Sequence, residues 1–286
     1  MIVYLDGSFI DHAEARVPVD DRGFLFADGL YEVIRVYGGR PFLAEPHTDR
    51  LRRGLAAIRI DAGAAHGLID IAHRLLEENG LVDADAIVYI QITRGVAPRK
   101  HAFPEPGTRP TVYVTTKPHA RPANESFTDG VAAITVPDTR WGRCDIKSIA
   151  LLPNVLANQQ AKEAGAFEAL FVREGVLIEG SHSNLAAIIA GEIVTYPECN
   201  YILGGITRRF VLDLARESGI PVREAPIFLD RMDDVDELFL TGTTTEVMPI
   251  TRLDGRPLGD GRPGAIARRL QLAYSEVAVR SLAAPT

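Results

Sequence analysis

The sequence predicts a mixed α+β chain in two parts, and three observations carry that prediction. Short strands turn on Asp-Gly and Gly-Gly pairs within the first forty or so residues, two segments of helical apolar spacing follow, and a proline-bearing polar stretch near residue 121 precedes a strand-rich second half. "IVYLDGSFI" alternates around Asp6-Gly7 and reads as a β-hairpin, and "YEVIRVYGGRPFL" repeats the pattern around Gly38-Gly39. From His47 to about Ile60, Leu51, Leu55 and Ile58 recur at helical spacing; from Ala64 to Glu78, Leu68, Ile71 and Leu75 share one face. "AIVYIQITRG" and "TVYVTTKP" are β-rich runs on either side of a loop crowded with Pro and Gly, "GVAPRKHAFPEPGTRP".

Residues 119–125 are the expected linker between a small N-terminal domain, 1–118, and a larger C-terminal domain, 126–286. The second part should open with a strand at 131–136 and a helix "NVLANQQAKEAG" that ends on Gly165. Strands "EALFVREG", "VLIEG", "LAAIIAGE" and "IVTYP" follow, then a helix "TRRFVLDLARESG" and strands "VREAPI" and "ELFLTGTTTEVMPI". An amphipathic helix from about Gly264 to Leu282 ends the chain.

Composition narrows the function. With 46% hydrophobic and 24% charged residues in 286, the chain has the make-up of a soluble globular protein. A net charge of −7 without a basic run argues against nucleic acid and for a small-molecule partner. No apolar run approaches the roughly 20 residues needed to span a bilayer, and the acidic, alternating N-terminus lacks signal-peptide features, so no membrane association and a cytoplasmic location are expected. Cys144 and Cys199 lack zinc-site spacing and are too few for a disulfide framework; Cys144 reads as a reduced structural cysteine.

Four segments hold residue types that folding alone does not call for. Only four of the 31 basic residues are lysine, and one of them, Lys147, sits in "RWGRCDIKS" before the apolar run Ala150-Leu151-Leu152. Lysine, unlike arginine, can lose its proton near neutrality and form a Schiff base, although read alone Lys147 is equally a surface lysine with its stem on apolar neighbours. Glu179, in "IEGSHSNLAAI", could hold a heteroaromatic N–H, or simply belong to a turn. "ILGGITRRF" places a Gly-Gly turn and Thr207 at a helix start, suited to a phosphate or to a plain cap, and "FLTGTTTEVMPI" offers Gly242 and three threonines in the same two senses. Together a Schiff-base lysine, a ring carboxylate and two phosphate-ready turns are the parts of a pyridoxal 5′-phosphate site.

Taken in order, these segments resemble the fold-type IV pyridoxal-phosphate enzymes, over nearly the whole chain from "YLDGSFI" through "FADGLYEVIRVYGGRPFLAEPHTDRL" to "ELFLTGTTTEVMPI". The resemblance implies a two-domain fold with a smaller N-terminal α/β domain, a larger C-terminal domain with a barrel-like β core, and the cofactor at the domain interface. It implies that Lys147 forms the Schiff base and shuttles the proton, that Glu179 pairs with the pyridine nitrogen, and that Leu203 packs on the ring. Arg50, Ile206, Thr207 and Thr243 would hold the phosphate.

Within that group the chain is similar to the D-amino-acid aminotransferases. Arg99 and His101 flank Lys100 and on an extended loop point the same way. A guanidinium fork and an imidazole there suit a carboxylate, and in the subgroup such a loop works with a tyrosine, here Tyr31, in the neighbouring subunit's site. D-amino acids of the D-alanine and D-glutamate type with pyruvate or 2-oxoglutarate, acting on a homodimer, are therefore expected. An (R)-selective amine transaminase, a branched-chain aminotransferase and an aminodeoxychorismate lyase are the alternatives. Two departures stand out: His182, where the subgroup has a small hydroxyl residue, and Lys100, whose charge could favour dicarboxylates. Arg140 and Trp141 are expected to face the substrate side.

Overall fold

The computed structural model describes residues 1–283, with side chains described to residue 279, and its contacts divide into two units. One holds residues 1–120 and 146–150, the other 121–145 and 151–280. Lys147, expected with the C-terminal domain, thus lies in a five-residue segment that the contacts group with the first unit.

The first unit is an antiparallel sheet of six strands with two main helices. Strands β1 (Ile2–Leu5) and β2 (Ser8–Asp11) form the first hairpin, and β3 (Gly29–Tyr37) and β4 (Arg40–Pro41) the second. Both turn through residues with positive φ (Asp6 50° and Gly7 100°; Gly38 46° and Gly39 80°), the conformation that matches strand twist in a two-residue turn. With β5 (Ala86–Thr93) and β6 (Thr111–Pro118) the order is β2-β1-β6-β5-β3-β4. Helices α2 (Ala44–Ala57) and α3 (Leu68–Glu78) bury Leu51, Leu55, Leu68, Leu75 and Leu76 in one core with Leu30, Ile34, Val88, Ile90 and Ile92 of the strands.

Two boundaries differ from the apolar spacing. Helix α2 begins at Ala44, ahead of His47, because its first turn is Ala-Glu-Pro, which carries no periodic apolar signal yet accepts proline where no amide is needed. Helix α3 begins only at Leu68, because left-handed Gly67 separates it from a 3₁₀ turn at 62–65. A five-residue helix, α1 (Arg22–Phe26), capped by the Asp21 carboxylate, has no sequence periodicity to announce it.

The second unit is built on a curled, half-barrel sheet of ten strands. Helix α4 (Asn124–Asp129) leads to β7 (Val131–Pro137); helix α5 (Leu152–Glu163) precedes β8 (Glu168–Arg173), β9 (Val176–Gly180), β10 (Asn184–Ile189) and β11 (Glu192–Thr195). After helix α6 (Ile206–Glu217) come β12 (Val222–Glu224), β13 (Ile227–Phe228), β14 (Glu237–Gly242), β15 (Glu246–Leu253) and β16 (Arg256–Pro257), and α7 (Ala265–Ala283) closes the described chain. The path β12-β11-β10-β14-β15-β7-β8-β9-β13 is mixed, with β7 parallel to both β8 and β15. "ELFLTGTTTEVMPI" is thus two strands, β14 and β15, joined at Gly242–Glu246. Strand β8 is buried on both faces over Glu168–Phe171, β7 alternates buried with half-buried residues, and Leu170, Leu177, Leu185, Leu238 and Leu240 lie at the core.

Candidate active site

In the first unit, residues 146–150 run antiparallel along the start of β3. Tyr31 N–H donates to Lys147 O at 3.1 Å, Ile149 N–H donates to Gly29 O at 3.2 Å, and Ile146 is buried in the core. Gly29 allows this approach: a Cβ there would lie 2.6 Å from Ile92 O and 3.2 Å from the Ile149 side chain. The Lys147 ammonium is 4.3 Å from the centroid of the Tyr31 ring and has no hydrogen-bond or ion-pair partner among the described residues. Tyr31 in turn stacks on Tyr89 at 6.0 Å.

Beside Tyr31 in sequence, but on the opposite face of β3, is a buried network that sequence reading did not find. Glu32, 0% exposed, accepts Arg50 Nε at 2.7 Å and Nη2 at 2.9 Å, and pairs with His47 Nδ1 at 2.9 Å. Burial alone would raise the Glu32 carboxyl, but the Arg50 charge and the His47 and Arg50 hydrogen bonds outweigh it and hold it at about 2. Burial pushes His47 below its usual value against the pull of Glu32, with the positive charges of Arg50 and Lys147 adding to the fall. The fork on Glu32 orients Arg50, the expected phosphate ligand. The signal available was spacing: His47 and Arg50 are three apart on α2, and both meet a carboxylate in the middle of an apolar strand.

Arg99 and His101 lie on the loop between β5 and β6, both exposed, and gather around Phe26 of α1 at 5.1 and 5.6 Å from its ring centre. No contact joins either to Tyr31 among the described residues. The loop is tied down by Arg22, whose guanidinium donates to Lys100 O at 2.6 Å.

In the second unit, Glu179 ends β9, buried, with both oxygens engaged. Oε1 accepts Arg140 Nη1; Oε2 accepts Asn184 Nδ2 at 3.0 Å and Leu203 N–H at 3.1 Å, and Asn184 Nδ2 also reaches Leu203 O at 2.8 Å. Leu203 is thereby fixed to Glu179. Gly205, two residues on, is required where it stands, since a Cβ would fall 1.9 Å from Asn184 Oδ1. Arg140 does not point at a substrate side as expected: its Nε and Nη2 pair with Asp138 at 2.9 and 3.0 Å, Nη2 reaches Tyr201 O, and its plane lies over Phe171 at 4.1 Å. Trp141 is 48% exposed. Cys144 is a buried thiol pushed by burial up to about 11, which keeps it protonated.

Glu168, fully buried, organises the turn after Glu179. It accepts Ser181 N–H at 3.0 Å, Ser181 Oγ at 2.6 Å and Ser183 Oγ at 2.8 Å, and His182 Nδ1 lies 3.0 Å from it. The departure at His182 therefore turns onto a carboxylate beneath it. Ile206 and Thr207 open α6, both buried; its cap, Gly205, offers no side chain, so the first-turn amides lack an acceptor from the helix or its cap. Thr243 stands in the Gly242–Thr245 turn, followed by Glu246 in a left-handed conformation (φ 56°) held by Arg121. Among the described residues no His, Cys, Asp or Glu cluster could hold a metal, and no helix is long and apolar enough to cross a membrane.

The profile of the class IV amino-transferases matches residues 29–253, and the chain belongs to that family. Among curated proteins it is 42% identical to the D-alanine aminotransferase of Staphylococcus epidermidis over 275 residues, 96% of each chain. It is also 42% identical to the D-alanine aminotransferase of Bacillus licheniformis over 277 residues, 96% of this chain and 95% of the other. Among solved structures, the branched-chain amino acid aminotransferase of Escherichia coli superposes with a TM-score of 0.88 at 25% identity, covering 96% of this chain and 94% of its own. That of Thermoproteus uzoniensis, with norvaline, gives 0.86 at 27%, covering 98% and 95%.

Proposed function

We propose that the protein transaminates between D-amino acids, of the D-alanine and D-glutamate type, and 2-oxo acids such as pyruvate and 2-oxoglutarate, using pyridoxal 5′-phosphate, as a homodimer in the cytoplasm. The observation that carries this reading is the nearly full-length likeness at 42% identity to D-alanine aminotransferases, and Tyr31, Arg99 and His101 are the side chains it would assign to the substrate carboxylate.

The donor sets fit the cofactor. The first unit has a lysine without a competing partner and an arginine oriented by Glu32. The second has a carboxylate that accepts three donors, uncapped amides at Ile206 and Thr207, and the Thr243 hydroxyl. Lys147 and Glu179 with Leu203 would hold the ring, and Arg50, Ile206, Thr207 and Thr243 the phosphate. Once bound, the cofactor supplies a protonated heteroaromatic ring that accepts the electron pair released when the substrate Cα–H bond breaks.

The chain's own residues do the rest. The Lys147 amine would take the substrate Cα proton, which requires an amine not locked in an ion pair. Glu179, whose charge Arg140, Asn184 and the Leu203 amide stabilise, would accept the ring N–H of the bound cofactor. Arg99 and His101 take the substrate carboxylate with Tyr31, and since they meet Phe26 and not Tyr31 in their own chain, the reading places them in a second copy's site. An apolar stripe on α5 supports association: Leu152, Val155 and Leu156 recur at three- and four-residue spacing and are all exposed.

The test is a panel of D- and L-amino acids with 2-oxoglutarate, plus (R)-1-phenylethylamine, on the wild type and on Arg99→Ala. D-alanine turnover well above L-alanine and L-leucine, and sharply reduced in Arg99→Ala, is the expected result. Comparable use of both enantiomers, or (R)-1-phenylethylamine turned over faster than D-alanine, contradicts the reading.

A further inference from the structure

The loop that carries Arg99 and His101 is gripped by more ion pairing than an exposed connection requires. Arg22, 3% exposed, donates through Nη1 to Lys100 O at 2.6 Å and to Ala102 O at 3.5 Å, and through Nε to Asp28 Oδ2 at 2.8 Å. Asp28 takes a second guanidinium: Arg94 Nε reaches the same oxygen at 2.8 Å, and Arg94 Nη2 reaches Oδ1 at 2.9 Å. Arg94, 6% exposed, also donates to Arg59 O at 3.0 Å and Ile58 O at 2.7 Å, and its plane covers the Phe103 ring at 3.8 Å.

The carbonyls of residues 100 and 102 and the ring of residue 103 are therefore held, while the side chains at 99 and 101 stay exposed. Burial of Asp28 works against its charge, but the Arg94 and Arg22 bonds outweigh it and hold the carboxyl below its usual range.

We infer that Arg22, Asp28 and Arg94 are positioning residues that preset the Arg99–His101 segment as a carboxylate receptor before any ligand arrives. The inference rests on the carboxylate role proposed above for Arg99 and His101. A Pro- and Gly-rich loop left to itself would have to be ordered by each substrate, at a cost in affinity; a loop already ordered avoids it. Arg22 does not touch the substrate in this account. Its effect should reach KM and leave the proton transfer at Lys147 largely alone.

The loop carries its own reporter, because trypsin can cut after Arg99 or Lys100 only when the segment opens, and the Lys100 carbonyl is the atom Arg22 holds. Holoenzyme, Asp28→Asn, Arg94→Met and Arg22→Lys are compared by the initial rate of nicking at these bonds and by steady-state kinetics with D-alanine and pyruvate. Arg22→Lys keeps the charge toward Asp28 but cannot serve both Asp28 and the two carbonyls, and it guards against a variant that fails to fold. The expected result is nicking and KM raised about tenfold, as for one lost charge-assisted hydrogen bond, with kcat changed by less than about twofold.

Unchanged nicking in all three variants overturns the brace, whatever the kinetics. Faster nicking with unchanged KM overturns its role in recognition. Arg99→Ala then separates the two failures: if it raises KM, the carboxylate role stands without the brace, and if it too leaves KM unchanged, the carboxylate role itself is wrong.

Discussion

Lys147 and Glu179 are the two groups on which the proposed chemistry turns, and their surroundings are opposite. Glu179 accepts three donors, a guanidinium, an amide side chain and a backbone N–H. Lys147 has one aromatic face and no polar partner among the described residues. A group that must keep one charge throughout a cycle is best saturated, because leaving a buried charge unpaired costs several kcal/mol. A group that must exchange its proton and its covalent partner is best left unsaturated, so that no ion pair has to break first. The contrast matches the anchor and the reactive group of the proposed chemistry.

The largest effect should come from the unsaturated member. Lys147→Ala should lower kcat by about 10³-fold or more, the scale of a lost general base, with little change in melting temperature, since the side chain contributes no polar contact. A variant that keeps activity within tenfold would remove Lys147 from the chemistry.

For the saturated member the order reverses, with stability responding first. Glu179→Leu leaves Arg140 without one of its two carboxylates in a buried site and should cost about 3–5 kcal/mol by chemical denaturation. Next comes the Glu32 network on the first unit. Above about pH 6.5 its contribution is complete. Below that the unfolded imidazole of His47 takes up a proton that the folded one resists, so stability falls; it falls again between about 4.5 and about 2, as Glu32 protonates more readily in the unfolded chain. Glu32→Gln should flatten the lower part of an acid-unfolding profile, and an unaltered profile would show that the carboxyl is not held as described.

Smaller still is Asn184→Ala, which removes one of three donors to Glu179 and should cost about 1–3 kcal/mol, read in the same unfolding experiment. At the bottom of the scale, Glu78→Ala breaks only the exposed pair with Arg74, 3.4 Å apart on α3, and should change stability by less than about 0.5 kcal/mol.

Legibility in the sequence followed the range of the interactions. Both hairpins, the two helices of the first unit and the strands of the second were readable because turn chemistry and periodicity are local. Helix α1 was not, being five residues held by Asp21, which also takes the Thr93 and Thr111 hydroxyls from distant strands. Arg140 was read as a substrate-side residue because its neighbour Trp141 and the nearby Lys147 suggested a pocket. Its real partners, Asp138 and Glu179, include one 39 residues away, and nothing local marks that pairing. The brace under the loop spans 78 residues from Arg22 to Lys100 and was equally invisible. Lys147 and Glu179 were singled out because a rare residue type and an ordered set of segments mark them, whereas the residues bonded to Glu179 are common types that nothing local distinguishes.

The central claim is that Lys147, the unsaturated lysine, carries the cofactor. Borohydride reduction of the holoenzyme followed by peptide mass spectrometry tests it directly, with four lysines to choose among: Lys100, Lys117, Lys147 and Lys162. The account predicts one phosphopyridoxyl group per chain, on the peptide containing Lys147. A label on any other lysine, or none in protein that has bound the cofactor, would contradict it.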